Sequence, residues 1–218
     1  MIRRYYSTSK TAKTRRGIET RQRIIDSAIS LFAQKGYSRV RIIDILNSAN
    51  VSPGAFYNYF SNKEELFLEI VKLGGGALID YFKNHILPET EEKDVKKAYS
   101  SLVQGIDYFL DFVEKNRQIF QILFQEMIYR NPRVKETIDQ IIKEFVNLFR
   151  HQIDKGIQKG MINITDSEIA SWSFVCSILG MALTYLENPS IERAKLARTI
   201  SELVLLGLFR REVPQKTI

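Results

Sequence analysis

The sequence predicts an all-α protein, a small three-helix head with a helix-turn-helix followed by a larger helical domain. Three observations carry this. Apolar residues recur at three- and four-residue spacing over most of the 218 residues. Two short helical runs flank Asn50-Val51-Ser52-Pro53, a turn followed by a helix-start signal. Positive charge is concentrated at one end: residues 1–63 hold 12 Lys or Arg against 3 Asp or Glu, while the remainder has a net charge of −2.

The elements follow in chain order. Residues 1–16 carry six basic and no acidic side chains and are expected to be an arm without fixed structure of its own. Arg3, Arg4, Arg15 and Arg16 are its candidates for a DNA groove. From Gly17 to Lys35, Ile24, Ile25, Ala28, Leu31 and Phe32 form one inward stripe, and Gly36 ends the helix. Val40 to Ala49 repeats the pattern through Ile42, Ile45 and Leu46. Asn50 tolerates the left-handed backbone of a sharp turn. Ser52 is placed to cap the next helix, and Pro53 occupies the first helical position, where its missing N–H costs nothing. Phe56 and Phe60 point to the core. Pro53, Gly54, Ala55, Tyr57, Asn58 and Tyr59 remain outside.

A helix-turn-helix presents its second helix to the DNA major groove, and concentrated positive charge is the footprint of a phosphate-backbone binder. Small Gly54 and Ala55 let a backbone approach base edges or a thymine methyl, and Asn58 has the donor–acceptor pair for adenine. Tyr57 and Tyr59 offer hydroxyls to phosphates. Lys63, in the first turn of the following helix, is expected to grip one phosphate together with backbone N–H groups.

The run Val40 to Phe60 resembles the tetracycline-repressor (TetR) family. In that family a turn such as Ala49-Asn50-Val51-Ser52 leads into a Gly-x-x-Tyr-x-x-Phe recognition helix, matched here by Gly54, Tyr57 and Phe60. Ile24, Ala28, Leu31, Phe32, Gly36 and Tyr37 upstream, and Lys63-Glu64-Glu65-Leu66 downstream, extend the likeness to about 60 residues. Val40 and Arg41 stand where the family often has Thr, so the phosphate contact passes to Arg41. The resemblance implies a dimeric regulator with a DNA-binding domain over 17–77 (helix-turn-helix 40–59) and a ligand-binding and dimerisation domain over 78–218.

Ser61 and Glu64 form a capping box for a long helix that passes through Gly74-Gly75-Gly76 and closes near Pro88. Three mid-helix glycines forgo about 3 kcal/mol of helix preference. They are expected to be a soft joint between the domains, with close helix packing as the plain alternative. Helical stretches follow over 98–116, 118–130 and 134–157. Tyr108, Phe112, Phe120, Phe124, Met127, Phe145 and Phe149 exceed what three packed helices need and are the candidate lining of an apolar cavity. Its effector is expected to be small and apolar, a fatty acyl chain or an aromatic compound.

Thr165 and Glu168 form a second capping box, after which Ile169 to Leu186 runs 18 residues without a charge. That length reaches the lower limit of a membrane span. Its serines, glycine and flanking glutamates favour instead a helix covered on two faces, one of them by a second subunit. Trp172, Cys176, Leu179, Leu183, Leu203 and Leu206 are the candidate interface, giving a four-helix bundle across a two-fold axis. Such a dimer would read a palindromic operator.

Other chemistries find no residues. His85 and His151 lack partners at metal-ligand spacing, and no nucleophile elbow or Walker sequence occurs. The single Cys176 precludes an internal disulfide and fits a reducing, cytoplasmic setting. The N-terminus lacks the apolar core of a secretory signal. The expectation is therefore a non-enzymatic, cofactor-free, sequence-specific regulator, a repressor released from its operator by ligand. A helical carrier of apolar ligands would lack salt-dependent DNA affinity, and an architectural DNA-binding protein would lack operator choice.

Overall fold

The computed structural model describes residues 14–85, 95–127 and 132–208, and every regular element among them is an α-helix. The helices are α1 (Arg15–Lys35), α2 (Ile42–Ala49), α3 (Pro53–Tyr57), α4 (Lys63–His85), α5 (Val95–Lys115), α6 (Arg117–Met127), α7 (Pro132–Gln158), α8 (Ser167–Glu187) and α9 (Arg193–Leu208). Arg3 and Arg4 lie outside the described residues.

Two compact units emerge. Among the described residues, one takes those up to Leu78 together with those of 116–141, and the other takes those of 79–115 and those from Ile142 on. The described residues of 116–141, which the sequence pattern groups with the C-terminal domain, thus cluster with the head, where α6 packs on α1.

In the first unit, Ile24, Ile25, Ala28 and Phe32 of α1 are wholly buried, as are Ile45 of α2, Phe56 of α3, and Leu66, Phe67 and Val71 of α4. The Phe32 ring meets Phe67 edge-on, with centroids 5.5 Å apart. Thr14 Oγ1 accepts from the Gly17 N–H at the start of α1, and Gly36 ends that helix at φ 79°. The start of α4 differs by one residue from the capping box expected at Ser61 and Glu64. Asn62 Oδ1 accepts from the Glu65 N–H, and the Glu65 carboxylate reaches back to the Ser61 N–H at 2.7 Å. Ser and Asn both serve as caps, so the pattern alone did not select the register.

α4 continues without a break through its three glycines. A Cβ on Gly74 would stand 2.7 Å from Ile119 Cγ2 of α6, and one on Gly75 would stand 2.4 Å from Ile141 Cδ1 of α7. Gly74 and Gly75 thus allow close helix packing, the plain alternative to a soft joint.

In the second unit, α5 packs along α9 and more lightly on α8. The Phe82 ring lies against Phe109, Phe145 and Phe149, at centroid distances of 5.1, 5.0 and 5.6 Å. Arg193 of α9 bridges Asp107, Asp111 and Glu114, three carboxylates on one face of α5. Tyr81 Oη donates to the Tyr108 carbonyl at 2.8 Å, and burial pushes its phenol up to about 12. Asp166, not Thr165, caps α8, accepting from the Glu168 and Ile169 N–H groups.

Candidate nucleic-acid interface

The α2–α3 corner is built from three local choices. Asn50 sits in the left-handed region at φ 52°, ψ 56°, and its N–H donates to the Leu46 and Asn47 carbonyls. Ser52 Oγ then accepts from the Ala55 N–H at 3.2 Å, and Pro53 opens the helix. α3 is only five residues long. A helix that short has no stability of its own in water, so its direction is set by what its inner side touches. Phe56 and Phe60 supply that side, at 0% and 2% exposure, with ring centroids 5.8 Å apart.

The outer side is open. Tyr57 is 56% exposed, Ser52, Pro53, Gly54 and Asn58 are exposed, and Ala55 and Tyr59 are half-buried. A Cβ on Gly54 would meet no described atom within 4 Å. Nothing in the packing of the described residues requires glycine there.

Arg41 caps α2 in an unexpected way. Its backbone N–H donates to Asp44 Oδ2 at 2.8 Å, and its guanidinium pairs with the same carboxylate at 3.4 Å while staying largely in solvent. The backbone hydrogen bond, reinforced by the guanidinium, holds the Asp44 carboxyl below its usual value. Lys63, the expected phosphate grip, has a structural task within the head. Its Nζ donates to the Tyr37 and Val40 carbonyls, both at 2.8 Å, and lies 4.2 Å from the Tyr37 ring centroid. The ammonium thereby ties α4 to the turn between α1 and α2.

The pattern names Arg16 but not Thr20 or Arg23, which share one wall of this surface with it. A polar groove of about 420 Å³ runs between the start of α1 and the recognition helix. Thr14, Arg16, Thr20 and Arg23 line one side, and Asn50, Ser52, Ala55, Asn58 and Tyr59 the other. Arg16 and Arg23 are exposed and share one face of α1 with Thr20. Their spacing of four and three residues was the available signal.

Of the seven apolar-cavity candidates, Tyr108, Phe112, Phe145 and Phe149 belong to the second unit and Phe120 to the first. Tyr108 is 41% exposed, Phe112 stacks on Tyr81 at 4.8 Å, and Phe145 and Phe149 pack about Phe82. Phe120 is buried. The side chains of Phe124 and Met127 lie outside the described residues. No cluster of metal-ligating side chains occurs among the described residues.

On α8 the buried stripe is Ser171, Val175, Ile178, Ala182 and Leu186. Cys176 faces outward, Trp172, Leu179 and Leu183 are half-buried, and Leu203 of α9 is 65% exposed. Leu206 lies outside the described side chains. α8 is long and apolar enough to cross a membrane by length and composition, yet only 28% of its most apolar window is covered by the chain.

Comparison with known proteins bears on both units. Residues 24–70 match the family model for bacterial regulatory proteins of the tetR family, and residues 97–208 match the tetracyclin repressor-like C-terminal domain. The fatty acid metabolism regulator protein of Bacillus subtilis is 26% identical over 190 residues, covering 86% of this chain and 95% of that protein. Among solved structures, the fatty acid degradation regulator FadR from Bacillus halodurans aligns with a TM-score of 0.74 at 19% identity, over 88% of this chain and 97% of that one. The transcriptional regulator FadR from Bacillus subtilis, solved in complex with stearoyl-CoA, aligns at 0.73 and 23% identity, over 85% and 98%.

Proposed function

Since the chain belongs to the tetR family of bacterial regulatory proteins, and is accordingly a DNA-binding transcriptional regulator, we propose that it represses transcription as a homodimer released from a palindromic operator by a fatty acyl thioester. The observation that carries the DNA-binding half is the two-sided character of α3. Its inner aromatics are sealed in the core, while Tyr57, Asn58 and the unfilled space at Gly54 face outward.

In this reading Asn58, Gly54 and Ala55 meet the major groove, with Arg41, Tyr57, Tyr59 and the Arg16–Arg23 face of α1 on the flanking phosphates. The poorly covered surface of α8, with Ile169 64% exposed, and Leu203 of α9 at 65% support the burial of these two helices against a second copy. A two-fold axis there presents two recognition helices to half-sites about 34–36 Å apart, or a multiple of that. The acyl effector is supported by the likeness to a fatty acid metabolism regulator over most of both chains. By linkage, DNA weakens effector binding by the factor with which effector weakens DNA binding. Such a protein works in the cytoplasm, beside the DNA.

The test uses a labelled duplex selected by the purified chain from a random pool. Long-chain acyl-CoA should release it, and the free aromatic acids used as comparators should not. Release by aromatics alone would replace the effector class, and failure to select any duplex would remove the regulator.

A further inference from the structure

One cation of the head, among the described residues, is buried away from solvent. Arg21 of α1 is 5% exposed, and its Nη2 donates to Glu69 Oε1 of α4 at 2.5 Å. Its guanidinium carbon lies 5.4 Å from the ring centroid of Phe60, the buried aromatic just beyond the recognition helix. Nε is buried with no acceptor among the described residues. A buried ion pair is weak ground for stability, because desolvation offsets its attraction and apolar replacements often do as well. What the arrangement does supply is a fixed point. Phe60 N donates to the Phe56 carbonyl, so the residue held against Arg21 is bonded directly to the inner face of α3.

We propose that Arg21 is a positioning residue for operator recognition: clamped by Glu69, its guanidinium plane seats Phe60 and thereby sets the direction of the five-residue recognition helix. The inference rests on the DNA-binding reading above. Base-edge contacts carry the sequence information and are lost when the helix that makes them is misplaced by about 1 Å, whereas phosphate contacts carry no sequence information. Loss of the clamp should therefore cost discrimination and spare general DNA affinity.

The experiment compares wild type, Arg21→Met and Arg21→Lys on two equal-length duplexes, one selected from a random pool by the wild-type chain and one scrambled. Affinities are taken at several salt concentrations. Glu69 keeps a third of its side chain in solvent and can be hydrated when its partner is lost, so Arg21→Met is expected to fold, and Arg21→Lys covers the case in which it does not. For Arg21→Met the selected duplex should bind about tenfold or more weaker, the loss of one good base contact. The scrambled duplex should bind within about twofold of wild type with an unchanged salt slope, because a residue this buried touches no phosphate. Arg21→Lys, which keeps the charge but loses the planar face, should fall between. Equal discrimination in both variants and wild type overturns the proposal, as does a parallel loss on both duplexes with a shallower salt slope. A wild-type chain that does not discriminate at all refutes the regulator reading itself, and the clamp with it.

Discussion

Gly75 of α4 lies so close to Ile141 of α7 that a single methyl group on its Cα would stand 2.4 Å from Cδ1 and 2.8 Å from Cγ1. Ile is stiff at χ1, so the helices rather than one side chain must give way. Overpacking of this kind costs about 1–3 kcal/mol, which outweighs the gain of up to about 1 kcal/mol in helix preference. Gly75→Ala, and Gly74→Ala against Ile119, should lower unfolding free energy in urea by about 1 kcal/mol. Gly76→Ala meets no described atom within 4 Å and should raise it by up to about 1 kcal/mol. A shared sign at all three positions would mean that packing is not what the glycines serve.

The two faces of α3 should separate cleanly. Tyr57→Ala removes a side chain in solvent and should change stability by less than about 0.5 kcal/mol, while weakening operator binding about tenfold. Phe56→Ala empties a fully buried site and should cost about 3–5 kcal/mol. Thermal melts paired with duplex titrations on both variants check this.

The groove wall on α1 has a different signature. Arg16→Ala and Arg23→Ala should each weaken selected and scrambled duplexes alike. Each should also reduce the slope of log affinity against log salt by about 1 per bound protomer. An unchanged slope would place these arginines off the phosphate backbone.

How much of this was legible in the sequence depends on how local each cause is. Asn50, Ser52 and Pro53 act within four residues, and the turn has the conformation their chemistry dictates. Phe56 and Phe60 were assigned inward by periodicity and are buried. The first-turn position of Lys63 suggests an anion and gives no sign of the two carbonyls that its ammonium also meets. Those carbonyls, of Tyr37 and Val40, lie 26 and 23 residues away. The role of Gly74 and Gly75 was hidden for the same reason, since Ile119 and Ile141 arrive only through tertiary packing. Arg21 reads as one more cation in a basic segment until Glu69 is brought to it.

Acid should loosen the head. The Arg41 N–H and guanidinium lower the Asp44 carboxyl from its ordinary 3.8, and the Ser61 N–H lowers that of Glu65 from 4.5. A carboxyl whose folded value is depressed stabilises the fold above its unfolded value, and that contribution is lost as pH falls through the folded one. Unfolding free energy should thus be insensitive to these groups above about pH 5.5 and should decline as pH falls from there through their depressed folded values. Asp44→Asn and Glu65→Gln should each make the decline shallower in a urea titration repeated across pH.

The most direct test of the central claim is an anisotropy titration of the selected duplex with purified chain at low ionic strength, read for stoichiometry. A two-fold dimer that reads a palindrome should saturate at two protomers per duplex, or a small multiple of two. Saturation at a single protomer, or no binding to any duplex offered, would contradict it.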